Sequence, residues 1–251
     1  MPDRPIGFFD SGLGGISVLK RAKELMPDDN FIYFGDSANA PYGTKEYKQV
    51  LKLVEDAVGK LLAMNVKALV IACNTATSVA VEHLRQVCTI PIISMEPAIK
   101  PALEESRGNV LLIATDVTIT SKRVTDLISK FDKNNRVISV PSRYLAEKIE
   151  QHLLENSDFD QYLNELLTPF VDKNVSAIVL GCTHYPFVAD KISAYFPSAK
   201  VYDGIDGTVA RLKNVLAESN LLSTSGGNVK ILSSKQDMIE KYLYLFNGGK
   251  L

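Results

Sequence analysis

Apolar runs of strand length alternate along the chain with amphipathic segments of helix length. Continuous, β-branched runs of this kind are typical of strands buried on both faces of a parallel sheet. Helical patterns between them, such as Thr44–Met64, would supply the crossovers. The sequence therefore predicts an α/β protein with mainly parallel sheets and helices on both sides. The strand runs are Pro5–Asp10, Asn30–Gly35, Val66–Cys73, Ile90–Ser94, Val110–Ala114, Arg136–Val140, Val175–Cys182, Lys200–Tyr202 and Val229–Leu232.

The two halves of the chain repeat one pattern. Ala68–Thr75 reads ALVIACNT and Ala177–His184 reads AIVLGCTH, so each strand run ends in a small residue and a cysteine. The separation from Asp10 to Cys73 is close to that from Thr115 to Cys182, which favours an internal duplication over chance strand spacing. We expect two pseudo-symmetric, three-layer α/β domains. The first comprises residues 1–96 plus 208–251 and the second residues 97–207, with a linker near Glu96–Pro97.

Polar residues follow the ends of several predicted strands. They are Asp10, Asp36, Cys73, Thr115 and Cys182. Ligands of open α/β sheets bind beyond the carboxyl ends of the strands. We therefore expect the active site to lie in a cleft between the two domains.

Composition and charge exclude several classes of function. The chain has 251 residues, a formal net charge of −1 and three cysteines. This charge offers no electrostatic attraction to nucleic acid or to an anionic membrane. No apolar run approaches the roughly 18 residues that span a bilayer, and no signal-peptide pattern is present. Free thiols fit a reducing compartment, so a cytoplasmic location is expected.

Cys73 and Cys182 are the candidate reactive residues. Each lies where the N-terminus of a following helix would stabilise a thiolate, and His184 lies two residues after Cys182. The absence of C-x-x-C spacing argues against a metal site, so no metal is expected. A Cys–His nucleophile remains an alternative, although it leaves the second cysteine unexplained. Cys88 is expected to be an inert, buried thiol.

The glycine-rich turn Asp10–Gly15 is a second candidate site. It follows a strand and precedes a helical pattern, as an anion-binding loop would. It lacks both the dinucleotide spacing and the Walker lysine, so nucleotide binding is the weaker interpretation. The turn would hold a carboxylate equally well, and Asp10 is a candidate proton-handling or orienting group. Ser11 could cap the helix or contact a ligand.

Two matching thiols suit the inversion of a stereocentre. One group removes a proton from one face of a carbon, and the other delivers a proton to the opposite face. The reverse reaction exchanges the two roles, so chemically identical groups are appropriate. One thiolate and one thiol are needed at once, which predicts a bell-shaped pH profile.

Several motifs occur in order along the chain. They are FDSGLGG at Phe9–Gly15, YFGDSA at Tyr33–Ala38, PYGT at Pro41–Thr44, IACNTA at Ile71–Ala76, MEPA at Met95–Ala98 and LGCTHYP at Leu180–Pro186. With these motifs the chain resembles the glutamate racemase family of the cofactor-independent aspartate/glutamate racemase superfamily, and the resemblance covers most of the chain.

The resemblance implies that Cys73 handles the α-proton of D-glutamate and Cys182 that of L-glutamate. Asp10 would assist Cys73, with Asp36 nearby, and His184 would assist Cys182. It implies no cofactor, a small-molecule substrate, a homodimer, and a product that supplies peptidoglycan synthesis. Substrate contacts would fall on Asp10, Ser11, Pro41, Tyr42, Gly43, Asn74, Thr75, Thr115, Thr118, Thr183 and His184.

Two stretches depart from the family pattern. Members usually carry C-P-L-F-V-P-L-V-E, with a glutamate near the active site, where this chain has VPSRYLAEKIE at Val140–Glu150. Both Glu147 and Glu150 are candidates for that glutamate. Val117 replaces a glycine of the family's A-T-x-G-T. Racemisation of aspartate or another amino acid is a rival hypothesis, and a non-catalytic binding module that kept the fold is another.

Overall fold

The computed structural model describes residues 2–150 and 157–249, and these form two compact units. The first unit comprises Met1–Glu96 and Ile205–Lys250, and the second is Pro97–Gly204. The chain returns to the first unit at Gly204/Ile205, whereas the sequence predicted this boundary at 207/208. A single helix begins at Ile205 and belongs wholly to the first unit.

The first unit is built on a five-stranded parallel sheet of order β4-β3-β1-β2-β9. Every residue of β1 is buried, as expected for a central strand covered on both faces. The strands are β1 Ile6–Asp10, β2 Phe31–Gly35, β3 Ala68–Ile71, β4 Ile92–Ser94 and β9 Val229–Ser233. The helices are α1 Ile16–Leu25, α2 Tyr47–Ala63, α3 Asn74–Val87, α10 Ile205–Glu218 and α11 Ile239–Phe246.

The second unit is built on a four-stranded parallel sheet of order β6-β5-β7-β8. The strands are β5 Asn109–Ala114, β6 Val137–Pro141, β7 Val175–Gly181 and β8 Lys200–Asp203. The helices are α4 Ile99–Glu105, α5 Asp116–Thr120, α6 Lys122–Phe131, α7 Leu145–Glu150, α8 Ser157–Leu167 and α9 Ala189–Ser193.

Alternating residues of β5 show that the second sheet is covered on both faces. Leu111 and Ile113 join one buried cluster with side chains of α7, α8 and α9. Val110 and Leu112 join another cluster with side chains of α4 and α6. Successive strand residues face opposite sides of a sheet, so a strand with an apolar layer on each side reads as a continuous apolar run. The predicted α/β class with parallel sheets and helices on both sides is confirmed.

The strand orders of the two units correspond element by element. In each sheet the first strand along the chain lies between the second and the third, and the fourth lies beside the third. This correspondence pairs β1 with β5, β2 with β6, β3 with β7 and β4 with β8, with β9 as an addition to the first unit. Cys73 follows β3 and Cys182 follows β7, so the two thiols occupy equivalent positions in their units. The topology fits the duplication predicted from the sequence.

Most predicted boundaries shift by one to three residues, and two of the shifts lie beside candidate site residues. Strand β3 ends at Ile71, two residues before Cys73, because Cys73 is the N-cap of α3. The predicted helix from Thr44 begins at Tyr47, since Tyr42–Thr44 form a separate 3-10 turn.

Candidate active site

The candidate site residues form two groups, one in each unit. Asp10, Ser11, Asp36, Pro41, Tyr42, Gly43, Cys73, Asn74 and Thr75 lie in the first unit at the carboxyl ends of β1, β2 and β3. Thr115, Thr118, Cys182, Thr183 and His184 lie in the second unit at the carboxyl ends of β5 and β7. Most of these polar side chains are buried, whereas polar side chains in proteins are mostly exposed to solvent.

Cys73 lies at the N-terminus of a long helix. Its Sγ accepts a hydrogen bond from the Ala76 N–H at 3.4 Å, the contact that an N-cap side chain makes. The Ser11 hydroxyl lies 3.4 Å from the same sulfur. Unpaired N–H groups and the helix dipole favour negative charge at this position, so the local structure stabilises a thiolate.

Asp10 ends β1 and is completely buried. Its Oδ1 accepts the Gly12 N–H at 2.8 Å, which fixes the carboxylate against the glycine-rich turn. Tyr33, on the neighbouring strand β2, donates its hydroxyl proton to the Gly12 carbonyl at 2.6 Å. The turn is therefore held from two sides, and the carboxylate orientation follows from it.

Asp36 and Tyr42 form the third part of this group. The Tyr42 hydroxyl donates to Asp36 Oδ2 at 2.6 Å, and Asn39 Nδ2 lies 3.1 Å from both carboxylate oxygens. Burial, the bond to Asp36 and the nearby negative charges of Cys73 and Asp10 raise the pKa of Tyr42 well above its ordinary value. Tyr42 therefore keeps its proton, and the loop stays closed on Asp36.

Cys182 has a different electrostatic environment from Cys73. It is followed by a turn, the short 3-10 helix Tyr185–Val188 and only then α9, so the predicted helix N-terminus is weaker here. His184 takes its place, with Nδ1 lying 3.7 Å from Cys182 Sγ. A histidine cation stabilises an adjacent thiolate as a helix N-terminus does.

Glu150 completes this second group. Its Oε1 lies 2.7 Å from Nε2 of His184, whose ring is almost fully buried. Burial opposes the charged ring, but hydrogen bonds to Cys182 and Glu150 outweigh it and hold the pKa of His184 well above 6.5. The structure thus places Cys182, His184 and Glu150 in one connected row.

The sequence alone did not decide whether Glu147 or Glu150 is the glutamate near the active site. The contact with His184 distinguishes the two, since Glu150 reaches the ring from the last residue of α7. The spacing from Ser142 to Glu150 equals that from the cysteine to the glutamate of C-P-L-F-V-P-L-V-E. This spacing was the signal that could have selected Glu150.

Thr115 and Thr118 lie together at the start of α5. The Thr115 Oγ1 accepts the Thr118 N–H at 3.3 Å, and the two hydroxyl oxygens are 2.9 Å apart. Thr115 is thus an N-cap, like Cys73 at the start of α3. A helix N-terminus with hydroxyl groups suits a carboxylate, although Thr118 is fully buried.

Within residues 2–150 and 157–249, no group of three or more His, Cys, Asp or Glu side chains is arranged to hold a metal ion. Across the same described ranges, no helix combines the length and apolar character needed to cross a bilayer.

The fold and the site together describe a protein of two α/β units with matching strand order, each with a cysteine just after its third strand. The family model for Asp/Glu/Hydantoin racemase matches residues 17–212. The chain belongs to this family, which confirms the resemblance seen in the sequence motifs.

Named relatives are similar over almost the whole chain. Glutamate racemase of Clostridium perfringens (strain 13 / Type A) is 45% identical over 242 residues, covering 94% of this chain and 93% of the relative. Glutamate racemase of Clostridium acetobutylicum is 42% identical over 239 residues, with 94% and 93% covered.

Solved structures agree in fold. Glutamate racemase from Francisella tularensis, in complex with D-glutamate, aligns with a TM-score of 0.87 at 30% identity, covering 100% of this chain and 96% of that one. The Escherichia coli enzyme, in complex with L-glutamate and the activator UDP-MurNAc-ala, aligns with a TM-score of 0.82 at 27% identity, covering 97% and 95%.

Proposed function

We propose that this protein interconverts L-glutamate and D-glutamate by cofactor-independent, two-base proton transfer. The observation that carries the proposal is the pair of thiols at equivalent strand ends, Cys73 after β3 and Cys182 after β7. Binding alone requires neither thiol, whereas stereoinversion requires two. The 45% identity to a glutamate racemase supports the choice of substrate. The product D-glutamate would supply peptidoglycan synthesis.

Stereoinversion by two bases needs one group on each face of the α-carbon, and we assign these two roles to the two thiols. A thiolate takes the α-proton, the electron pair of the C–H bond remains on the α-carbon, and the opposite thiol then donates its proton. The charges balance, because one thiolate becomes a thiol and one thiol becomes a thiolate. Cys73 takes the proton of the D-enantiomer and Cys182 that of the L-enantiomer.

Different neighbours support the two thiols. Ser11 and the N-terminus of α3 stabilise charge on Cys73, and Asp10 with Asp36 assists on that side. His184, held protonated beside Glu150, stabilises charge on Cys182. The chemistry is symmetric, but its electrostatic support comes from a helix N-terminus on one side and from a cation on the other.

Substrate binding rests on neutral donors rather than on an arginine clamp. Hydroxyl groups, amides and backbone N–H groups at helix N-termini provide fixed dipoles for two carboxylates. The proposed contacts of this kind are Ser11, Pro41, Tyr42, Gly43, Asn74, Thr75, Thr115, Thr118 and Thr183. Asp10 and His184, which assist the two thiols, are proposed to contact the substrate as well.

Removal of either thiol tests the mechanism. Cys73→Ala and Cys182→Ala should each abolish racemisation, measured as the change in optical rotation of each enantiomer. Cys88→Ala is the matched control, since Cys88 lies at the opposite end of α3 from Cys73 and should leave turnover unchanged. Full turnover in either active-site variant would contradict the proposal.

Exchange of the α-hydrogen in deuterium oxide tests the assignment of faces. A variant that keeps one thiol should exchange the hydrogen of one enantiomer only: D-glutamate with Cys73 and L-glutamate with Cys182. Equal wash-in from both enantiomers in a single-thiol variant would rule out opposed bases.

Two rivals are separated by simple assays. Steady-state measurements across amino acids distinguish glutamate from aspartate or another substrate. A binding module without catalysis would bind glutamate in calorimetry and show no turnover of either enantiomer.

The assembly and the location are further parts of the proposal. We expect a homodimer, which sedimentation at several protein concentrations would detect. We expect the protein in the cytoplasm, where reducing conditions keep all three cysteines as thiols. Cell fractionation with a tagged chain would check this.

A further inference from the structure

Two buried hydroxyl groups lie near the connected row of Cys182, His184 and Glu150. They have no role in the proton transfer proposed above. Ser142 follows β6, and Tyr185 directly follows His184 in the chain. Both residues have a relative exposure of 0%. Buried hydroxyl groups are costly unless they are hydrogen-bonded, so their partners indicate what they hold in place.

The two hydroxyls form a chain of hydrogen bonds. The Ser142 hydroxyl donates to the Ala114 carbonyl at 2.9 Å, and the Ser142 N–H donates to the same oxygen at 2.9 Å. The Tyr185 hydroxyl oxygen lies 2.7 Å from Ser142 Oγ and donates to the Ser142 carbonyl at 3.2 Å. Ala114 immediately precedes Thr115, so this chain connects the ends of β5 and β6 to the turn after β7.

Tyr185 is a permanent donor in this chain. Its burial and the negative charge of Cys182 raise its pKa well above 10.0, so it stays neutral at working pH. Its backbone N–H also donates to the Cys182 carbonyl at 3.2 Å, closing the turn that carries Cys182, Thr183 and His184. The position of this turn therefore depends on where the Tyr185 ring is anchored.

Ser142 also fixes the helix that carries Glu150. The Ser142 carbonyl accepts the Leu145 N–H at 3.2 Å, at the first residue of α7, and lies 3.2 Å from the Tyr185 hydroxyl. Glu150, at the last residue of α7, reaches His184. Ser142 thus contacts both elements that position His184. One is the turn after β7, which carries His184 itself, and the other is α7, which carries Glu150.

We propose that Ser142 and Tyr185 are positioning residues that hold the His184 ring between Cys182 and Glu150. This inference rests on the proposed racemase function, in which His184 supports the Cys182 thiolate. Hydrogen bonds of Ser142 and Tyr185 run to the last carbonyl of β5, to each other and to the first residue of α7, so the two residues act on the ring through the turn and through α7. A displacement of about 1 Å at such a site is enough to cost about a hundredfold in rate.

The test uses the full-length enzyme with three variants and a matched control. Tyr185→Phe and Ser142→Ala each remove one hydroxyl, whereas Ser142→Cys keeps a donor at this position, although a weaker one. Tyr202→Phe is the control, because Tyr202 lies on β8 of the same unit and its hydroxyl binds Glu105. We expect kcat to fall about tenfold or more in the first two, with KM changed much less, and Ser142→Cys to fall in between.

A second readout follows the His184 ring itself. With ¹⁵N-labelled histidine, NMR titration without glutamate should show His184 losing its proton at lower pH in Tyr185→Phe and Ser142→Ala, because its two partners are less well aligned. The groups that face the ring are Cys182 and Glu150, and neither is altered in these variants. His83, which pairs with Glu55 on the first unit, serves as the internal reference.

The outcomes separate this inference from the proposed function. A wild-type protein without racemase activity would overturn the proposed function, whereas the His184 titration would still report on positioning. An active enzyme whose kcat and His184 titration are unchanged in both variants would overturn the positioning role. An equal loss in Tyr202→Phe, or loss of the fold in both Tyr185→Phe and Ser142→Ala, would also overturn it, because the hydroxyls would then be general requirements of the fold.

Discussion

Gly15 offers a test of how Asp10 and Cys73 are held in position. Its role is to leave space for neighbouring atoms that a side chain would displace. It precedes α1 with a φ of −66°, a conformation that every residue adopts. The Cβ atom of an alanine at this position would lie 2.6 Å from Asp10 Cβ, 3.0 Å from the Tyr33 hydroxyl and 3.1 Å from Ala72 Cβ. Two of the three are Cβ atoms fixed directly to the backbone, at the end of β1 and just after β3, and cannot rotate away as the tip of a flexible side chain would. Gly15→Ala must therefore move the backbone.

The size of the movement follows from the contact distances. Ordinary van der Waals contact begins at 3.4 Å, so the 2.6 Å approach must open by about 0.8 Å. Overpacking of a core by one methyl group costs about 1–3 kcal/mol. A shift of nearly 1 Å in a catalytic group costs about a hundredfold in rate. Because the closest neighbour is Asp10, we expect kcat/KM to fall by about that factor.

Gly59→Ala provides the matched control. An alanine Cβ at Gly59, within α2, would meet no atom within 4 Å, so the same chemical change carries no steric cost. Alanine in a helix is favoured over glycine by about 0.5–1 kcal/mol, so this variant should be as stable as the wild type or more so. Thermal unfolding and steady-state racemisation should then separate the two variants. Gly15→Ala with wild-type kcat/KM and wild-type Tm would refute the steric reasoning.

Two further predictions concern charged groups. Glu150→Gln removes the charge that helps to keep His184 protonated, so the pKa of His184 should fall toward 6.5. We expect kcat to drop as a consequence. Glu147→Gln, on the same helix, is the control and should leave both quantities unchanged. Since the pKa of His184 is raised in the folded chain, its contribution to stability is complete below about pH 6.5 and is lost as the pH rises through the folded-state value. The difference in free energy of unfolding between the wild type and Glu150→Gln should therefore shrink at alkaline pH in urea titrations, and a constant difference would contradict this. Lys67 Nζ lies 2.5 Å from Asp29 Oδ1, and both side chains are buried. Lys67→Met removes this cation and should lower the free energy of unfolding by about 3–5 kcal/mol, as measured by urea unfolding. The double variant Lys67→Met with Asp29→Asn should recover much of that loss, because the buried carboxylate charge is then absent as well.

The fold class could be read from the chain itself, and the same patterns singled out two candidate reactive residues. Each predicted strand run coincides with an observed strand, because residues buried on both faces must be apolar at consecutive positions. Cys73 and Cys182 could be recognised because both strand runs end in the same rare residue within one repeated pattern. Family membership followed from ordered motifs, and the similarity to known racemases confirms it.

The partners of those residues were decided by tertiary structure. Glu150 and His184 are distant in sequence, and only the packing of α7 beside the turn after β7 brings their side chains within 2.7 Å. The two thiols, similar in sequence context, also have different surroundings: a long helix follows Cys73, whereas a short 3-10 helix and the buried His184 lie beside Cys182. The physical reason is that apolar periodicity is local and reports burial, whereas hydrogen-bond partners depend on where separate strand ends converge. The sequence alone thus determined the fold class and the candidate reactive residues, and the folded chain determined which side chains and helix ends surround them.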